Sequence, residues 1–354
     1  MAGVVNLASK FEKWVDEAFA HESLLNGATN NKVDFTGVNE VSVYAVDKME
    51  MNDYQRSGTS RYGTPEEIGD RVQTFKIDRD RSFTGTIDEG NAKDQYNIKD
   101  ASARVHVQMR DVVIPEIETY TLTKWVSGAG KVVGGAAPTK DTLLGLIQAG
   151  ASYMNNNHVP HKGRSIFIAE TYAAMLPNLA NLTYLEGLGS RALTENELPR
   201  VAGFNVHVVP DGDMPENVYF ILQHKDACPF AQKLKVFKIH KDPPGINGNL
   251  IEGRVIYWAG VLGEKSPGVY AYVASANKQA NPTFGGSGLN VTITAAGATI
   301  MYTTDGTDPR YSNTAKPIAS GGSVTATKGM VIKTYAYADG KYPSDVVEKV
   351  ATAG

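Results

Sequence analysis

Residues 71 to 88, RVQTFKIDRDRSFTGTID, alternate strictly. Phe75, Ile77, Phe83 and Ile87 share one face, while Lys76, Asp78, Asp80, Ser82, Thr84, Thr86 and Asp88 share the other. A period of two is the mark of a β-strand. A two-stranded ribbon of this length is marginal in water, so its apolar face needs a surface to lie on. The preceding stretch, NDYQRSGTSRYGTPEEIGD, is full of turn formers, and no helical period appears from Asn52 to Gly90. An excursion of this size inside a compact domain is usually functional or disordered, and the alternation argues against disorder. The segment therefore reads as a long hairpin that leaves the body. From the residues alone, its apolar face could fold back on its own chain or dock on another.

Around the hairpin the chain mixes helices and strands. Residues 10 to 25 place Phe11, Trp14, Val15, Ala18 and Phe19 on one helical stripe, an amphipathic arm for its own domain or a neighbour. Residues 92 to 127 predict one long helix, with Ile98, Ala101, Val105, Met109, Val112 and Val113 at spacings of three and four. Pro115 should kink it. A second helix opens near Thr139 as cap, with Asp141 in its first turn. RSIFIA, FNVHVVP and VYFILQ read as strands, and KVFKIHKDPPGINGNLIEGRVIYWAGVL as two strands joined by a Pro-Pro-Gly turn. Without regular βαβ alternation the class is α+β. Residues 274 to 288 are Gly-, Asn- and Ser-rich, as a linker should be, and the short strands of 289 to 354 predict a small β-sandwich.

Composition narrows the function. Thirty-five basic against 38 acidic residues leave a charge of -3, with no basic tail to grip phosphates. One cysteine, Cys228, precludes an intramolecular disulfide, and neither an export signal nor a membrane span is expected. HVPH and HKDAC lack the paired spacing of a zinc site, and PDGDMPEN and DGTDP lack a calcium loop's ligand series. No nucleophile elbow or phosphate loop is present. Catalytic residues, cofactors and metals are accordingly not expected.

The order of parts, and the phrases NDYQRSGTSRYGTPEEIGDRVQTFKIDRDRSFTGTID, RDVVIPEIETYTL and KIHKDPPGINGNLIEGRVIYW, resemble the major capsid proteins of tailed double-stranded DNA phages, the Hong Kong ninety-seven type of fold. The resemblance runs from about residue 5 to 270. It implies an N-terminal arm and first strand at 1–50, an extended loop (E-loop) at 51–90, a peripheral domain with a spine helix at 91–129 and 236–273, and an axial domain at 130–235. It further implies that Phe75, Ile77, Phe83 and Ile87 of the E-loop, and Phe11, Trp14 and Phe19 of the arm, meet adjacent copies. The implied partners are further copies in hexamers and pentamers, a separate scaffolding protein, a portal, and enclosed DNA bound without sequence specificity. The implied location is a virion assembled in the host cytoplasm. Lys76 is the only lysine between Asn52 and Gly90, and with no visible partner or catalytic glutamate it gives no ground for crosslinking.

A second resemblance lies in GATIMYTTDGTDPRYS, which is similar to the small immunoglobulin-like repeat at the C-terminus of chitobiase and hexosaminidase enzymes. Its turn is carried by Asp305, Gly306, Asp308 and Pro309: Gly306 can take positive φ, Asp308 can bond its own backbone, and Pro309 holds Asp308 extended. In those enzymes the module is accessory. Here it would decorate an outer surface, with a glycan as candidate ligand through Tyr335, Tyr337 and Tyr342, and truncation after Ala276 should leave assembly intact. Two other readings stand beside the capsid: a carbohydrate-active or glycan-binding protein with an accessory sandwich, and a nanocompartment shell on the same fold.

Overall fold

The structure, a computed structural model, describes residues 23–30, 33, 40–46, 51–63, 70–89, 101–176 and 200–352. Phe11, Trp14 and Phe19 of the expected arm lie outside the described residues. The rest falls into two compact units. One holds the described residues up to Asn39 with those of Lys76–Ala280 and Tyr337–Asp345; the other holds those of Glu40–Phe75, Asn281–Ala336 and Val346–Gly354.

The alternating segment divides between two sheets. Strand β1 (Glu40–Val46) pairs with β2 (Asp70–Lys76) as a two-stranded ribbon, and β3 (Arg79–Asp88) begins two residues later in a different sheet. Residues 71 to 88 are therefore not the two arms of one hairpin, which corrects the sequence reading. Alternation gives a strand and its two faces but not its partner, and both strands alternate in phase. Phe75 and Ile87 are buried, and Phe83 is half-buried.

Beyond β3 come α1 (Ala101–Gln108), a π turn at Met109–Val113 and α2 (Ile114–Gly128), one after another without a gap. The Ile114 N–H donates to the Met109 carbonyl, five residues back. Pro115 has no N–H for the helical ladder, and its ring crowds the carbonyl four residues before it. A wider turn relieves both, so the proline is met by a π turn. The expected stretch from 92 to 100 lies outside the described residues.

Next follow β4 (Lys131–Gly135), α3 (Leu143–Asn156), β5 (Arg164–Ala169), β6 (Asn205–Val209), β7 (Val218–His224), β8 (Phe230–Lys241), β9 (Gly248–Ala259) and β10 (Val269–Ala274). Thr142, not Thr139, is the residue before α3; the Thr139 carbonyl accepts from the N–H groups of Thr142 and Leu143. The five-stranded sheet runs β4-β10-β7-β5-β6, parallel at β4/β10 and β5/β6 and antiparallel between. Strand β10, grouped with the peripheral strands from sequence, thus lies inside this sheet. Ile166, Ile168, Phe220 and Leu222 face Leu143, Ile147 and Met154 of α3 in one apolar cluster. Phe167, Ile221, Val269 and Ala271 join Trp125 and Val126 of α2 in another. Covered on both faces, these strands read as unbroken apolar runs. Gly150 lets α3 approach: a Cβ there would lie 2.4 Å from the Leu222 side chain and 3.0 Å from the Tyr270 ring.

A three-stranded antiparallel sheet, β3-β9-β8, packs on the spine helix. Every residue of β3 pairs with β9, from Arg79 opposite Tyr257 to Asp88 opposite Gly248. The Phe83 ring lies 5.9 Å from Phe237 and covers Gly253, where a Cβ would come within 2.4 Å of it. Ile87 joins Val105, Met109, Ile251 and Val255 in the core.

In the second unit, β11 (Thr283–Gly285), β12 (Asn290–Thr294) and β15 (Gly322–Thr325) form one sheet of a small sandwich; β14 (Lys316–Ile318), β13 (Thr299–Thr303), β16 (Val331–Tyr337) and β17 (Val347–Val350) form the other. Val291, Ile293, Ile300, Val324 and Ile332 fill the space between. Trp125 joins the spine helix to the five-stranded sheet, fully buried with its ring edge-on to Phe167 at 5.2 Å. Trp125→Ala is expected to cost about 3–5 kcal/mol, read from the urea midpoint of unfolding.

Candidate assembly surface

Apolar side chains that a fold leaves in water mark where it meets something else, particularly when they cluster. Among the described residues such side chains gather on the β1/β2 ribbon and its tip: Tyr44 is 71% exposed, Met51 98%, Tyr54 52% and Tyr62 85%. The tip is locally built. The Gln55 N–H donates to the Arg61 carbonyl at 3.0 Å, the Arg61 Nε to the Gly58 carbonyl at 3.2 Å, and Tyr54 meets Tyr62 edge-on at 5.0 Å. Along the ribbon Ser42 and Thr74 hydroxyls lie 3.1 Å apart. Four further exposed apolar residues lie apart: Val107 and Val112 on α1 and the π turn, and Tyr337 and Val350 on β16 and β17 of the sandwich.

Of the four E-loop residues expected from sequence to face a neighbour, Phe75 and Ile87 are buried within this chain, and Ile77 and Phe83 are half-buried. Phe83 and Ile87 pack against the core of their own chain, because β3, an edge strand paired along its length with β9, lies on the spine helix. The residues that the sequence reading passed over, Tyr44, Met51, Tyr54 and Tyr62, carried one signal. Met51, Tyr54 and Tyr62 are large apolar groups inside a polar, turn-rich run with no period to bury them, and Tyr44 lies on β1 beside it.

Immediately after the ribbon, the chain is tied to α2. Asp78 accepts from the Tyr120 hydroxyl and from Lys124 Nζ at 2.6 Å. Burial alone would raise the Asp78 carboxyl, but the bonds from Lys124 and Tyr120 outweigh it and hold the group below its ordinary value. Arg81 forks onto Glu116 at 2.6 and 3.4 Å, and the Tyr257 hydroxyl donates to the same carboxylate at 3.2 Å. Burial, then the Glu116 charge, pushes the Tyr257 phenol up to about 12. The Arg79 guanidinium lies 5.0 Å over the Tyr120 ring, and Arg254 pairs with Asp80 at 2.5 and 2.9 Å. A polar cleft of about 640 Å³ opens among Arg79, Arg81, Glu116, Tyr120, Lys124 and Asp213. Each exposed pair is worth little alone. Together they hold Asp78 and the start of β3 against α2.

Further along α2, buried Glu118 accepts from the Leu24 N–H at 2.7 Å and the Ser23 hydroxyl at 3.0 Å, with burial pushing its carboxyl up. Residues 23 and 24 are thereby anchored on the spine. In the sandwich turn, Asp305 accepts from the Thr307 N–H at 3.0 Å and the Thr314 hydroxyl at 2.6 Å. Gly306 has φ of 74° there. Asp308 accepts from the Arg310 N–H at 2.9 Å and from its guanidinium at 2.7 Å. All of these bonds close the loop itself. Among the described residues no group of three His, Cys, Asp or Glu could hold a metal ion. Cys228 is buried, which raises its thiol well above the ordinary value, and His224 bonds the Asp226 N–H and the Lys162 carbonyl. No helix among them is long and apolar enough to cross a membrane.

Comparison with solved structures places this fold. The capsid structure of cyanophage P-SCSP1u aligns with a TM-score of 0.56 and 16% identity, covering 72% of this chain and 87% of that one. A structure from Mycobacterium phage Che8 gives 0.55 and 18%, covering 71% and 90%. A virus-like particle from Pyrococcus furiosus gives 0.50 and 9%, covering 76% and all of its own chain. The fold is thus the α+β phage capsid fold, followed by a small all-β sandwich. A family model described as Fn3 associated matches residues 291–350. No curated protein sequence matches the chain.

The tie at Asp78 predicts a pH dependence. A folded pKa held below the ordinary carboxylate value means that the tie is present at neutral pH and lost as the pH falls through that lowered value in acid. Amide hydrogen exchange across Asp78–Arg81 should therefore accelerate in acid in the parent, and already at neutral pH in Asp78→Asn.

Proposed function

We propose that this chain is the major capsid protein of a tailed phage, assembling into the hexamers and pentamers of an icosahedral head around double-stranded DNA. The observation that carries this reading is the exposed aromatic tip on a ribbon that, among the described residues, pairs only with itself. Such a ribbon gains stability by laying Tyr44, Met51, Tyr54 and Tyr62 on the next copy. Each copy gives one ribbon and receives one, a heterologous contact that closes into rings. The exposed Val107 and Val112 of the spine segment are the receiving surface we favour. In this reading the five-stranded sheet and α3 belong to the axial domain, and the spine helix with β3, β8 and β9 to the peripheral domain. The sandwich stands on the outer surface, scaffold and portal are separate proteins, and the subunit's role is structural, not catalytic. Assembly takes place in the host cytoplasm. The modest charge of -3 fits a shell that holds DNA without gripping its phosphates.

A nanocompartment shell is the second reading, favoured by the alignment over the full length of the Pyrococcus furiosus particle chain. The contents separate the two: particles from the natural source that protect double-stranded DNA from nuclease support the head, and particles holding only protein support the compartment.

The test is negative-stain microscopy of the expressed chain. The parent should form shells or hexameric rings, while the double variant Tyr54→Asp with Tyr62→Asp should stay folded and unassembled. Normal shells from that variant would refute the assigned role of the tip. Phe83→Asp, by contrast, should destabilise the isolated subunit by about 3 kcal/mol or more in chemical denaturation, since it buries a charge beside Phe237.

A further inference from the structure

The polypeptide leaves β16 of the sandwich, adds the segment Tyr337–Asp345 to the first unit, and returns to form β17. Within the first unit this segment is held along its length. The Tyr342 N–H donates to the Asn277 carbonyl at 2.7 Å, and the Gln279 N–H donates back to the Tyr342 carbonyl at 2.9 Å, a parallel bridge centred on Lys278. The Tyr342 hydroxyl donates to the Glu216 carbonyl at 2.7 Å. Asp345 is 6% exposed and accepts three bonds: from the Val132 N–H at 2.9 Å, from Lys131 Nζ at 2.9 Å and from Lys278 Nζ at 3.0 Å.

The placement of Asp345 is specific. Strand β4 is the edge of the five-stranded sheet, paired on one side by β10. An edge strand leaves N–H groups without ladder partners. One oxygen of Asp345 takes the Val132 N–H of that edge, and the other lies between two ammonium groups brought from β4 and from the segment after β10. A carboxylate with a charge-assisted backbone bond and two cations is far stronger than an exposed ion pair. Removing it would leave Lys131 and Lys278 facing each other.

We propose that Tyr337–Asp345 is an intramolecular strap, through which the C-terminal region serves as a structural part of the first unit and not as a removable decoration. The strap rests on contacts within one chain, so it stands or falls independently of the shell reading. It overturns two expectations from sequence. The Tyr342 hydroxyl is committed to the Glu216 carbonyl and not to a glycan, and truncation after Ala276 would take away Lys278 together with Asp345, the partner of Lys131. Burial raises the Asp345 carboxyl, but Lys131, the Val132 N–H and Lys278 outweigh it and hold it below its ordinary value, so the strap is fastened at neutral pH.

The experiment inserts a site-specific protease sequence between the exposed Ala280 and Asn281 of the full chain and cuts it after folding. On native size exclusion the 281–354 fragment should stay with the 1–280 fragment. With Tyr342→Ala and Asp345→Ala together it should separate about tenfold more readily, the loss expected for charge-assisted bonds. A fragment that leaves the cut parent at once, or one that the double variant keeps equally well, would overturn the strap. Hydrogen exchange at the Val132 amide in the uncut chain gives a second reading: about tenfold faster exchange in Asp345→Asn supports it, and an unchanged rate refutes it.

Discussion

The ladder between β3 and β9 fixes what the rest of the chain can do. It uses all ten residues of β3 and seats Phe83 and Ile87 against Phe237, Ile251 and the spine helix. β3 thus forms one edge of the sheet on the spine helix, and a separate two-stranded ribbon is made by β1 and β2, which pair with each other alone among the described residues. Two strands cannot bury much of either face. The aromatic groups at the tip remain in water until another surface covers them. Burial of one apolar set and exposure of the other thus follow from one choice of pairing.

The charges at Asp78, Arg79 and Arg81 have a related role. They occupy the junction where β2 ends and β3 begins, and each engages a side chain of α2 or its neighbour: Lys124 and Tyr120, the Tyr120 ring, and Glu116. Long exposed side chains lose entropy when pinned, so such pairs add little to stability. Their number at one junction fixes where the start of β3 lies on α2 more than it adds energy.

Local physics was legible in the sequence and long-range pairing was not. Period-two alternation identified β2 and β3, an unbroken apolar run identified β5, and the Pro-Pro-Gly stretch identified the β8–β9 hairpin. Each of these signals lies within a few residues. The partner of β3 lies about 170 residues away, and both candidate partners alternate equally well, so register carried no preference. Glu118 meets Ser23 at a separation of 95 residues, and Asp345 meets Val132 at 213. A lone Glu in a helix or Asp in a turn looks the same whether it is solvated or buried. Pro115 announced a disturbance, but whether the helix bends or widens depends on packing around Met109 and Ile114, which no local signal reports. The capsid resemblance carried the fold but not the strand with which β3 pairs. Architecture depends on element order, whereas contact residues depend on which strand pairs with which.

Three of the four exposed ribbon positions are tyrosine, which suits the shell reading proposed above. A phenylalanine at those positions would offer similar area but leave a fully apolar patch on the free subunit, inviting contacts without register. The phenol keeps one end of each ring hydrated while the ring remains available for stacking or edge contacts. Tyr54 and Tyr62 already meet edge-on, which fixes part of their rotamer freedom before any partner arrives. Ordering cost is one of the larger charges against association, and pre-setting the rings lowers it. Under the proposed function, the same pair that makes the tip conspicuous in water would anchor it on the next copy.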